Sequence, residues 1–514
     1  MMNLSNHMGP APYVPHEAPY GDFIVVINPS RTLHSKLVEL DALVRYCSGC
    51  VVYSWGLPSD RHCISGHGIV DGVYLIGPRS LSSTPIEITV GPCVALSLGD
   101  QVQVVTENFG SQAVYYSDKV VTNRIQLAAL AVGGVDELAM FATMHSNHMF
   151  CQQFNVFQTP VRGVQVAPPG ARIIVDAGIA LREDESGFDY SDVISVADYR
   201  DLIKKGAAEI IANVDAIIRS GNSLVCDITG GQDSRMVFAA IVAMGKAQDV
   251  AFHTRDLSKS YVDAVRGGSA TRAYELARKD VDIATSLVAK AGGSFVRDDG
   301  GGDYRAFRYT TFDDNVMRRR SHMFGSYHFI TTSLLRSQWP YSENPLVRMM
   351  GGGGETYRGY YQDLFGFAED QNYNEEAIRA ALRSSKNNSI DFGPVWEDLE
   401  NLYVDTFNRL PGCTIDQKLD NHYLFFRNRY HFGLNLSFPS NGMSINPALS
   451  KSLLSAARLL PHRERMSGRV IFDVTRELSE WVAYHDYDKF DCSAMKDSIY
   501  HAKSELTCCR MRTP

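Results

Sequence analysis

Ser223-Leu-Val-Cys-Asp-Ile-Thr-Gly-Gly-Gln-Asp-Ser-Arg235 is an apolar run that breaks at two glycines and then restarts. The pattern predicts a strand, a tight turn and the opening of a helix. A turn without side chains lets backbone N–H groups face an anion, and a helix N-terminus adds partial positive charge. Asp233 and Ser234 fall where the helix begins, within reach of a metal ion or a phosphate. The stretch reads as a nucleotide site.

The flanking sequence supplies the sheet that such a turn needs. From Ala197 to Arg219, Ile203, Ala207, Ile210, Ile211, Val214 and Ile218 share one helical face, and Gly221-Asn222 ends the helix. A helix over 233–244, a strand over 249–254 and a helix over 282–292 follow, the last with Asp282 as its cap. Strand and helix in alternation predict a parallel, doubly wound α/β sheet, whose ligands bind at the carboxyl ends of the strands. Beyond about residue 370 the chain reads as mainly helical. Before Val196, from Asp22 to about Asp176, short β-rich runs are punctuated by Gly, Pro, Ser and Asn, with one helical stretch from Ile125 to about Met149. The expected division is a flexible leader over 1–20, a strand-rich domain over 21–195 and the α/β domain over 196–514.

A chain of 514 residues is too long for one core. The net charge of -8 argues against nucleic acid as the main partner. No secretory signal and no apolar run of about 18 residues is present, so a cytoplasmic protein without a membrane span is expected. The 10 cysteines are scattered. Cys47-Ser-Gly-Cys50 is a lone pair with only Cys63 near it, and packing is favoured over a metal or redox role.

Ile228-Thr-Gly-Gly-Gln-Asp-Ser-Arg235 resembles the S-G-G-x-D-S loop of ATP pyrophosphatases, with Thr229 for the first Ser. Met349-Met-Gly-Gly-Gly-Gly-Glu-Thr-Tyr-Arg-Gly-Tyr-Tyr361 is similar to the S-G-E-G-S-D-E-x-F-G-G-Y segment of the asparagine synthetase and β-lactam synthetase family. Val105-Thr-Glu-Asn-Phe-Gly-Ser-Gln-Ala-Val-Tyr-Tyr116 and Val164-Gln-Val-Ala-Pro-Pro-Gly-Ala-Arg-Ile-Ile-Val175 look like segments of its glutaminase-type domain. Arg429-Tyr-His-Phe-Gly433 and Ser444-Ile-Asn-Pro-Ala-Leu449 resemble its synthetase core. The resemblance implies an adenine nucleotide α-hydrolase-like (ATP-pyrophosphatase) domain with a helical C-terminal part, preceded by an α+β Ntn-hydrolase-like domain.

It also implies residue roles. Thr229, Gly230, Gly231, Ser234 and Arg235 would hold ATP phosphates, joined by Gly352, Gly353 and Arg358. Asp233 would ligate Mg²⁺. The family's second metal-binding Asp falls on Gly354, so Glu355 would take that contact, or phosphate and water would. Family glutaminases use an N-terminal cysteine, whereas this chain starts Met1-Met2-Asn3 and its first cysteine is Cys47. The expectation is an AMP-forming ligase that adenylates a carboxylate and forms an amide with an amine, without glutamine. Tyr327, Glu343, Glu355 and Glu375 are candidate bases, and Lys489 or Lys496 the candidate for the developing oxyanion. Partners would be small-molecule carboxylate and amine substrates, or a peptide, with a second copy of the chain in a homodimer as a further candidate. Isopeptide macrocyclisation of a ribosomal peptide, a catalytically inactive nucleotide-binding homologue and an RNA- or nucleotide-modifying enzyme are the alternatives.

Overall fold

Two kinds of strand pairing divide the chain. The structure, a computed structural model, describes residues 21–83, 88–142, 155–176, 178–182, 196–254, 271–296, 346–361, 371–386, 392–431, 442–488 and 495. These fall into two compact units. One holds the described residues of Met1–Ser186 and Tyr361–Asn441, the other those of Gly187–Tyr304, Ser342–Tyr360 and Gly442–Pro514.

The first unit contains two six-stranded antiparallel sheets and a small three-stranded one. Alternation decides its layers, because successive side chains of a strand point to opposite faces. Phe23, Val25, Val52 and Val121 of one sheet meet Leu96, Val104, Ile173 and Val175 of the other in a shared core. The interleaved Ile24, Val26, Val51 and Tyr53 face outward, onto Leu33 and Leu37 of helix Arg31–Glu39 and Leu127 of helix Ile125–Val132. The helical stretch expected from Ile125 to Met149 is interrupted at Gly133 and Gly134. Both take the left-handed backbone (φ 72 and 79) before a second helix, Glu137–Ala142, and residues beyond it lie outside the described ones. Glu107, in the segment that resembles the glutaminase-type domain, staples its own turn by accepting from the amides of Phe109 (2.6 Å) and Ser111. Burial pushes its carboxyl up to about 7, against the pull of those amides. Helices Glu375–Ser384, Val395–Arg409 and Ile415–His422 of the helical part expected after residue 370 belong to this unit, while Lys451–Arg458, His462–Met466, Arg469–Leu478 and Glu480–Ala483 belong to the other.

The second unit is built on a five-stranded parallel sheet. Its strands are β1 (Leu224–Asp227), β2 (Ala251–His253), β3 (Ser294–Phe295), β4 (Leu346–Met349) and β5 (Gly442–Ile445), in the spatial order β3-β2-β1-β4-β5. Chain order runs one way from β1 to β3 and the other way from β4 to β5, so β1 and β4 flank the point where direction reverses. Helix α1 (Val196–Arg219) leads in as expected, and α2 (Asp233–Ala243) follows β1. Phe238 of α2 meets Phe252 of β2 edge to face at 5.3 Å, fixing which side of the sheet α2 covers. Helix α3 (Thr271–Lys290) starts well before the expected residue 282. Its fully buried anchors Ile283, Ala284, Leu287 and Val288 all lie in the second half, while Ala273, Tyr274, Leu276 and Ala277 of the first half are only partly buried and are interspersed with exposed charges. Asp282 is therefore not a cap. It lies mid-helix, 3.3 Å from Arg278 one turn earlier. No helix among the described residues is long and apolar enough to cross a membrane.

Candidate functional site

Both glycine loops leave the carboxyl ends of neighbouring strands. The register pairs Leu224 with Val347 and Cys226 with Met349, so Thr229–Gln232 after β1 and Gly351–Gly354 after β4 emerge side by side. Close approach explains the glycines. A Cβ on Gly351 would lie 2.2 Å from Ser234 Cα, so that residue packs directly on the first turn of α2. Gly353 combines a φ of +94 with a Cβ position 2.4 Å from Leu449. Gly352 is buried between them.

The first loop is closed by its own hydroxyls. Ser234 Oγ accepts from the Thr229 amide (3.0 Å) and lies 3.2 Å from Thr229 Oγ1, which accepts from the Gly231 amide at 3.1 Å. The Gly230 amide donates to the carboxylate of Asp280, on α3. Gln232 caps α2 without a side-chain hydrogen bond, leaving the start of that helix to other acceptors. Arg235 points away from this edge. It is fully buried, its guanidinium donates to the carbonyls of Gly230, Val482, His485 and Asp486, and the Tyr487 ring lies 3.4 Å from it. That side chain ties residues 482–487 to the loop.

The second loop opens the four-residue helix α4 (Glu355–Arg358). Tyr357 anchors it: its hydroxyl donates to the Ala448 carbonyl at 2.9 Å and accepts from the Ser450 amide at 2.7 Å. The resulting geometry brings three charged groups together. Arg358 Nη2 lies 3.0 Å from Asp233 Oδ2 and 3.2 Å from Glu355 Oε1. Burial and then the Asp233 charge push the Glu355 carboxyl up to about 7, with Arg358 opposing the shift. Burial likewise holds the Asp233 carboxyl above its ordinary range, with the same arginine opposing the shift.

The remaining oxygens, Asp233 Oδ1 and Glu355 Oε2, are shielded from water and have no hydrogen-bond partner among the described residues. A magnesium ion fits this donor set. Magnesium is held by one or two carboxylates with phosphate and water completing its shell. The described residues contain no group of three or more acidic, His or Cys side chains that would hold a metal without such help.

Beneath the loops lies a polar cluster that no sequence motif marks. His253 Nδ1 lies 2.8 Å from Asp227 Oδ1, and Arg348 Nε lies 3.5 Å from the same oxygen. Asp227 and His253 are register partners at the ends of β1 and β2, whereas Arg348 pairs with Val225 and reaches the same oxygen through its long side chain. Asp280 was equally hidden, since it sits fifty residues downstream on a helix with no motif around it. Of the other candidate groups, Glu375 belongs to the first unit and accepts from Asn408 at 3.1 Å. Tyr327, Glu343, Lys489 and Lys496 lie outside the described residues. In comparisons with protein-family models and with curated proteins, nothing matches this chain.

Proposed function

We propose that the protein is an ATP-dependent, AMP-forming ligase resembling the asparagine and β-lactam synthetases. It would join a carboxylate to an amine with loss of pyrophosphate. One observation carries this reading: two glycine loops from adjacent parallel strands meet at the reversal point of the sheet, with Asp233, Glu355 and Arg358 converging between them. That edge is where open α/β sheets bind ligands.

The Thr229–Ser234 turn and the start of α2 bind and orient the phosphates. Ser234 and Thr229 hold the turn in shape through their shared hydroxyl contact. Arg358 supplies positive charge that offsets the charge gathering on the departing pyrophosphate. Asp233 and Glu355 would hold magnesium, which when bound neutralises phosphate charge. A substrate carboxylate then attacks the α-phosphorus, and an amine displaces AMP from the acyl-adenylate. The amine must be neutral to attack, so a base must take its proton.

The test is ATP–pyrophosphate exchange with a panel of carboxylates, with AMP measured as product. Asp233→Ala should lower exchange by about 100-fold or more, in line with loss of a charge-stabilising group. Release of ADP instead of AMP overturns the reading.

A further inference from the structure

We propose that Arg358 is a built-in cation: its guanidinium takes the place of a second divalent ion between Asp233 and Glu355, so this anion site works with one fewer metal. The inference rests on the nucleotide reading above and adds to it how the site is charged.

Three observations converge. A single guanidinium nitrogen contacts both carboxylates, at 3.0 Å and 3.2 Å. Arg358 follows Glu355 by one helical turn, and α4 lifts both toward Asp233 on the neighbouring loop. Side chains three apart on a helix are neighbours, so the pairing follows from backbone geometry. Second, position 354 offers no ligand and no room for one. A Cβ there would lie 2.2 Å from Asp233 Oδ1 and 2.4 Å from its carboxyl carbon. Third, the described residues contain no cluster of three metal-ligating side chains, here or elsewhere, so Asp233 and Glu355 have no third acidic, His or Cys ligand beside them.

Charge balance favours the same conclusion. Two carboxylates facing each other in a partly desolvated cleft repel unless a cation lies between them. A guanidinium is protonated at every working pH and carries five donors in a planar fork. The Arg358 side chain is also 36% exposed, so it borders the open side of the cleft, where a phosphate would arrive. One magnesium ion, bound with phosphate at the remaining oxygens, then completes the site.

Manganese(II) binding to the full chain, followed by electron paramagnetic resonance, tests this apart from any activity. Without nucleotide, wild type should bind Mn²⁺ weakly. Arg358→Ala exposes an uncompensated carboxylate pair and should bind it about tenfold tighter or more, a size typical of changes around metal ligands. Arg358→Lys, which keeps the charge, should resemble wild type. A variant that binds Mn²⁺ no tighter than wild type overturns the proposal. If Arg358→Ala fails to fold, wild type alone decides: with pyrophosphate present it should retain about one Mn²⁺ per chain, and about two would overturn the proposal. Failure of wild type to bind pyrophosphate at all sinks the nucleotide reading instead, while the comparison of variants still decides the arginine's role.

Discussion

The carboxylate of Asp233 occupies the space in which a side chain on Gly354 would begin, with the ideal Cβ position 2.2 Å from Oδ1. The two residues are 121 positions apart and belong to different loops. Their contact explains why an acid is absent where the resemblance calls for one: in this geometry the acid of the first loop already fills that space. Gly354→Ala should therefore destabilise the protein by about 1–3 kcal/mol, as overpacking of a closed site does. Gly354→Asp should be at least as damaging and should not restore a metal site. Urea unfolding of both variants checks this; a stable Gly354→Asp protein with tightened Mn²⁺ binding would contradict it.

Arg235 illustrates a different lesson. The residue follows the phosphate motif directly, yet its guanidinium holds four backbone carbonyls and an aromatic ring instead of facing the cleft. Arg235→Met keeps volume but strands those carbonyls. A stability loss of about 3 kcal/mol or more is expected, measured by chemical denaturation. Any loss of pyrophosphate affinity should accompany unfolding. A well-folded Arg235→Met protein that fails only in binding would show that the side chain serves the ligand after all.

Asp280 holds the Gly230 amide in the place where an anion would be received. Asp280→Asn keeps an acceptor at that amide and removes the negative charge. Pyrophosphate binding in the presence of EDTA, followed by calorimetry, should tighten by a few-fold to about tenfold, the size of one nearby like charge at a partly exposed site. Weaker binding by the variant would mean that Asp280 supports the anion, for instance by orienting the loop.

The Glu355 carboxyl titrates near 7 because it is buried beside Asp233. An acid whose folded pKa is raised binds its proton more tightly in the folded state than in the unfolded one. Its ionisation therefore costs nothing below the unfolded value and increasingly destabilises the fold as pH rises toward about 7. Glu355→Gln removes that cost. The variant should match wild type near pH 4.5 and exceed it by up to about 3 kcal/mol above pH 7. Stability curves that run parallel across this range would show that Arg358 neutralises the carboxylate more fully than burial opposes it.

Much of the architecture is written locally. Strand β1, the Gly-Gly turn and the start of α2 are consecutive residues, and the long amphipathic α1 carries its own apolar stripe. Period-two alternation from Phe23 to Val26 likewise states which side chains enter the core. Helix α3 extends further toward its N-terminus than its strongest apolar residues indicate, because Ala273, Tyr274, Leu276 and Ala277 are small or only half-buried and the full anchors come after Asp282. The break at Gly133–Gly134 is hard to read locally because apolar runs flank the two glycines, whose positive φ ends the first helix.

The sequence by itself determined that a glycine turn joins a strand to a helix, and that a second glycine loop ends in Glu355 and Arg358. Backbone propensity and short-range periodicity suffice for such statements. The tertiary structure alone decided which charges meet: Arg358 with Asp233, Asp280 with Gly230, and Asp227 with His253 and Arg348. These pairs depend on strand order and parallel register, which bring together residues between 26 and 125 positions apart. No local pattern records such distances, because the energy that sets them comes from packing the whole sheet and its helices.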